Sequence, residues 1–93
     1  MPPFILTFDL VKDESSADYG PLIEELISRG AHRYQLQCWL INLANTAAEV
    51  HEHYRQFLGE SDKLMVSELT SNHKQDRNLK GTNDWIRNNP PSR

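Results

Sequence analysis

In this 93-residue chain the residue best placed for chemistry is Asp9. It lies near the end of an alternating run, Phe4 to Val11, on the side away from Phe4, Leu6, Phe8 and Leu10. A carboxylate there either marks the passage into a polar loop or takes part in metal or phosphate chemistry. A single Asp is a poor Mg²⁺ site, because that ion wants one or two carboxylates completed by waters and substrate oxygens. Two Asp9 side chains brought together by a two-fold axis would meet that need. A Mg²⁺ or Mn²⁺ ion between them would polarise a phosphodiester and activate a water.

The remaining candidates are weaker. His51-Glu52-His53 puts two histidines on different sides of a helix, whereas zinc hydrolases space them four apart. His53 reads as an i,i+4 partner of Glu49, and His32 as a surface-loop residue beside Gly30. Cys38, the single cysteine, excludes a disulfide within the chain and a multi-Cys zinc site. Its apolar neighbours suggest an inert buried thiol, and the usage suits a reducing cytoplasm. Tyr34 and Trp39 have the ring types that stack on bases, or that pack in a core or between subunits. The four glycines sit at element boundaries, so no glycine-rich phosphate loop is present.

Charge is divided unevenly. The net −3 combines a body, residues 1–70, with five basic and eleven acidic side chains, and a tail, residues 71–93, with five basic and two acidic. The tail's most basic stretch, His73 to Lys80, contains Lys74, Arg77 and Lys80. It reads as a solvated loop or as a phosphate-binding arm for RNA or DNA. The 38% hydrophobic content with clear periodicity excludes disorder by composition. The longest apolar stretches, such as Trp39–Ile41, fall far short of the ~20 residues of a membrane span. Met1-Pro2-Pro3 has neither the cationic region nor the apolar segment of a signal peptide, so a cytoplasmic location is expected.

The elements that must position these residues follow from period. Phe4–Val11 is expected to be a strand. Asp18 is expected to cap a helix striped by Tyr19, Leu22, Ile23, Leu26 and Ile27 and stopped by Gly30. Arg33–Leu43 reads as one strand, with Trp39 and Ile41 opposite Leu40. Thr46 and Glu49 form a capping box for a second helix, ended by Gly59, and Asp62–Leu69 is a further strand. Thr70–Lys80 is a loop by composition. Thr82 is expected to cap one or two helical turns, and Asn88–Arg93 to fray.

Two crossovers in this β-α-β-α-β order would place both helices on one side of the sheet. A fourth strand around Asn78–Thr82 would complete a ferredoxin-like layout. The other sheet face would be bare, carrying Ile5, Val11, Trp39 and Met65, and is expected to form a homodimer interface.

The run Phe4-Ile-Leu-Thr-Phe-Asp9-Leu, the helix ending in Gly30, Arg33-Tyr-Gln35-Leu-Gln37-Cys-Trp39, and Asp62-Lys-Leu-Met-Val66 carry a resemblance. Over residues 4–69 the chain resembles the small CRISPR-associated adaptation nucleases, the universal small subunit of the spacer-acquisition complex. It resembles more closely their solitary SinR-like relatives, with the virulence-associated protein D toxins as cousins. The resemblance implies an α+β, ferredoxin-like βαββαβ-type sandwich acting as a homodimer. It implies a metal-binding Asp9 at the interface and a basic strand-two residue at Arg33, and Arg33 or the basic tail is expected to hold the nucleic acid. The family's serine on that strand is Gln37 here. The implied activity is a metal-dependent endonuclease. The alternatives are a non-catalytic nucleic-acid- or protein-binding scaffold and a toxin-like ribonuclease. Residues 1–81 form the expected domain, and 82–93 its short helical appendage.

Overall fold

Strand β1 spans Pro3–Asp9 and obeys its alternation, with Phe4, Leu6 and Phe8 buried and Thr7 and Asp9 exposed. The computed structural model describes residues 1–13 and 16–93. Of the expected Lys12–Asp18 loop, Glu14 and Ser15 therefore lie outside the described residues. The helix entry differs from the expected one. Ser16 Oγ, not Asp18, accepts the capping bond, from the Asp18 amide at 3.3 Å, and a 3-10 turn (Ala17–Tyr19) precedes the helix. Helix α1 (Gly20–Ser28) has Pro21 in its first turn and buries Leu22 and Leu26. Ile27 departs from the expected stripe and is 62% exposed. Gly30 ends the helix at φ 73°, a left-handed conformation that glycine adopts without a Cβ clash.

The expected single strand over Arg33–Leu43 is instead a hairpin. Strand β2 (His32–Gln35) turns at Leu36-Gln37 into β3 (Cys38–Asn42). Gln37 fixes that turn against β1. Its carbonyl accepts the Phe8 amide at 2.9 Å, and its Oε1 accepts the Leu10 amide at 3.2 Å. The fourth strand thus comes from this split, not from Asn78–Thr82, which forms no strand. Helix α2 (Ala47–Arg55) begins with the expected capping box and ends at Arg55, before Gly59. Strand β4 (Lys63–Glu68) follows.

The described residues thus form a small α+β unit with a four-stranded sheet in the order β2-β3-β1-β4, every neighbouring pair antiparallel. Register decides which side chains share a face. Phe4 stands opposite Ile41, and Leu6 opposite Trp39 and Val66. These residues meet Leu22 and Leu26 of α1 and Val50 and Tyr54 of α2, so both helices cover one sheet face. A hydrogen bond joins the helices: His53 Nε2 lies 3.0 Å from Glu25 Oε2, and not against Glu49 as its spacing suggested.

Trp39 and Ile41 accordingly belong to the core, and the assignment of Trp39 to a bare dimer face is overturned by this register. The outer face instead carries Leu40, opposite Ile5 and His32, and Leu40 is only 3% exposed. Its cover is the C-terminal segment. Helix α3 (Thr82–Asn88) packs against β2. Trp85 Nε1 donates to the Gly30 carbonyl at 2.9 Å, and the Leu79 amide donates to the Tyr34 carbonyl at 3.0 Å. The residues expected to fray are also tied: Asn42 donates to Asn89 at 3.0 Å, and the Ser71 amide to the Arg93 carbonyl.

Candidate nucleic-acid interface

A part-buried polar contact at the start of α3 adds to the bonds that position the C-terminal segment. Gly81 precedes α3 at φ 95°, a left-handed conformation that favours glycine, with the His32 ring 3.4 Å from where a Cβ would stand. His32 Nε2 lies 2.8 Å from Thr82 Oγ1, whose own hydroxyl donates to the Leu79 carbonyl at 2.7 Å. That single hydroxyl proton is spent, so His32 must be the donor at Nε2. Burial pushes the His32 pKa down, which favours this neutral ring. Thr82 therefore holds α3 on the sheet and does not cap its own helix.

The cations of the chain divide sharply. Lys12 pairs with Asp18, Arg29 with Glu25, Lys63 with Asp9, Arg87 with Asp84 and Arg93 with Glu68. Arg55 donates to the Asp62 and Gly59 carbonyls. Arg33, an expected nucleic-acid contact, is half-buried with its guanidinium 4.9 Å above the Trp39 ring, so it is engaged within the protein. Lys74, Arg77 and Lys80 remain. All three are exposed, and none meets a carboxylate among the described residues. They fall in one short run that the sheet holds in place. Arg77 itself sits at φ 57°, a sparsely populated conformation for a residue with a side chain. Asp76 lies among them, so the run from 73 to 80 carries +2.

No protein-family model matches the chain, and no solved structure matches it significantly. The site must therefore be read from its own geometry.

Asp9 lies on the part of the outer face that the C-terminal segment leaves open. Its side chain is 71% exposed, and Lys63 Nζ stands 3.4 Å from Oδ2, directly across the strand pair. Within one copy this does not make a Mg²⁺ site. The neighbouring group is an ammonium, and no group of three His, Cys, Asp or Glu side chains among the described residues is placed to hold a metal. Of the expected interface residues, Met65 is 68% exposed beside Thr7 on this same open region. Val11 is exposed beyond the end of β1, with its amide donating to Asp62 at 2.9 Å. Ile5 is half-covered by the C-terminal segment. No described helix is long and apolar enough to cross a membrane.

The groove between sheet and tail was not foreseen. A cavity of about 350 Å³ has Ile5, Leu40, Leu69 and Ile86 as its apolar lining. Tyr34, Gln35, Gln75 and Asn78 supply polar lining. Burial, with the Cys38 thiol beside it, pushes the Tyr34 hydroxyl up to about 12, so it is neutral at physiological pH. In the sequence Tyr34 was legible as a ring able to stack on bases or to pack, without a partner or a pocket to place it. The amides give no signal there, because strand and tail residues meet only on folding.

Proposed function

We propose that this protein binds nucleic acid through its C-terminal segment. The observation that carries the reading is the trio Lys74, Arg77 and Lys80, three exposed cations close together in the chain that meet no carboxylate among the described residues. Phosphates are the natural counter-charge for such a run, and holding it on the sheet lowers the ordering cost on binding. The acidic body works against wrapping long duplex DNA, so a short contact is expected. The strand order β2-β3-β1-β4, with two helices on one face, supports a ferredoxin-like layout for the domain.

The test is fluorescence anisotropy with short labelled oligonucleotides over a salt series. Binding should weaken with salt. Replacing Lys74, Arg77 and Lys80 together by Ala should reduce the log–log slope by about 2, given roughly 0.7 counterions released per single-strand phosphate contact. Binding unchanged by the triple replacement would remove the reading.

The hydrolytic reading is supported by the exposure of Asp9 on an open sheet surface. It requires a second copy, so that two Asp9 carboxylates share a Mg²⁺ or Mn²⁺ ion across a homodimer interface. Cleavage of RNA or DNA by the wild type, lost in Asp9→Asn, would establish it. Equal cleavage by both would remove Asp9 as the hydrolytic group, and none by either would leave a non-catalytic binding protein.

A further inference from the structure

The groove under the C-terminal segment and the unpaired cations share a wall. Gln75, Asp76, Asn78 and Thr82 line the 350 Å³ groove on one side and a polar cavity of about 410 Å³ on the other. Arg77 and Lys80 line that second cavity. Lys74 lies on the rim of the first. An apolar floor thus adjoins a cationic track across one layer of side chains.

The wall is built from a chain of amides. Gln35 Nε2 donates to Asn78 Oδ1 at 3.1 Å, Asn78 Nδ2 donates to Gln75 Oε1 at 2.9 Å, and Gln75 Nε2 donates to Asn83. Each bond uses one N–H and one lone pair of groups that have two of each. The Gln35, Asn78 and Gln75 amides therefore each keep a free donor, and Asn78 and Gln75 each keep a free acceptor. The chain links these amides along the wall of the groove. On the groove side, the aromatic side chain of Tyr34 lines the cavity together with Leu40 and Ile5. The volume is at the low end of the ~300–1,000 Å³ of small-ligand sites, and fits one planar heterocycle rather than an extended ligand.

We infer that the groove takes an unstacked nucleobase, and that the substrate is single-stranded nucleic acid with its backbone along Lys74, Arg77 and Lys80. This inference rests on the nucleic-acid reading above and narrows it. A duplex keeps its bases stacked and paired, so it offers the groove nothing and keeps only the phosphate contacts. A single strand can turn a base out onto an aromatic face and leave its polar edge to the amides.

The experiment compares three probes by anisotropy at low salt: a short mixed-sequence strand, its duplex, and the same strand with abasic sites. The intact strand should bind about tenfold or more tighter than the abasic strand, the scale of one stacked base. It should likewise bind tighter than the duplex. Tyr34→Phe keeps the ring and should bind as the wild type does. Tyr34→Leu should bind intact and abasic strands alike. Its circular dichroism should match the wild type's. If Tyr34→Leu fails to fold, Gln35→Leu, at an exposed position, takes its place and should narrow the same difference. Equal binding of intact strand, abasic strand and duplex would overturn the base-groove inference while leaving the nucleic-acid reading intact. Failure of all three probes to bind would overturn both.

Discussion

Asp62 shows how one side chain can fix a loop arrangement. It is 5% exposed, and its carboxylate accepts from the Val11 amide at 2.9 Å, the Gly59 amide at 2.8 Å and the Tyr19 hydroxyl at 2.8 Å. The Val11 amide above all holds its carboxyl below the ordinary value, against the opposing effect of burial, with Gly59 and Tyr19 adding to it. Replacement by Ala leaves these donors without partners and should cost roughly 2 kcal/mol, read from chemical denaturation. Asp62→Asn keeps an acceptor and should cost less. The depressed folded value sets the sign of the pH dependence. The carboxylate's contribution is present above the unfolded value of about 3.9, and is lost as pH falls through the folded value. Asp62→Asn should therefore flatten the acid limb of the stability curve, and an unchanged limb would contradict the assignment. In the sequence Asp62 is merely the first residue of a strand. Its partners lie up to 51 residues away, and no local pattern records them. Asp9 is the opposite case: its alternation marked it as outward-facing, and it is exposed.

At the scale of elements, the C-terminal segment is the part whose attachment can be tested most directly. Thr82→Val keeps shape but removes the oxygen that accepts from His32 and the proton given to Leu79. The segment should loosen by about 1–3 kcal/mol. Hydrogen exchange at the Leu79 amide, which bonds to Tyr34, should then quicken while the amides of β1 stay protected. Acid should act the same way. The folded pKa of His32 is lowered by burial, with no charged side chain contributing to the shift. Its contribution is full above the unfolded value of about 6.5, and is lost as pH falls from there toward the folded value. Exchange at Leu79, corrected for intrinsic rate, should rise through that window in the wild type, and the rise should be absent in His32→Gln. These contacts also mark where sequence stops being informative. Helix α2 was legible because its capping box, Thr46 with Glu49, is local. So were β1 and β4, whose period is their own. The β2–β3 hairpin was hidden because Gln35-Leu36-Gln37 contains none of the Gly, Asn, Asp or Pro residues that announce a turn. Its turn is held from outside, by Gln37 bonding to β1. The docking of α3 was hidden for the same reason, since His32 and Thr82 stand 50 residues apart.

For the whole molecule, the charge division and the half-covered sheet lead to one prediction about assembly. The C-terminal segment covers Leu40 and half of Ile5 but leaves Thr7, Asp9 and Met65 open. A two-fold contact through this open region would bring two Asp9 carboxylates together, while each carries a Lys63 neighbour. Between two acidic bodies, close carboxylates oppose association unless a cation lies between them. Sedimentation velocity should therefore show a dimer fraction in the wild type that rises with Mg²⁺ or Mn²⁺ beyond the effect of an equal ionic strength of NaCl. Asp9→Asn relieves the repulsion and removes the ligand. It should dimerise at least as well without metal and lose the metal response. Met65→Lys puts a second cation beside Lys63 on the patch and should lower the dimer fraction under all conditions without altering the thermal midpoint of the monomer, because Met65 is 68% exposed. A wild type that stays monomeric at every metal and protein concentration would remove the shared Asp9 site, and with it the hydrolytic reading. It would leave the strand-binding face untouched, since Lys74, Arg77, Lys80 and the groove beneath them all belong to one copy of the chain.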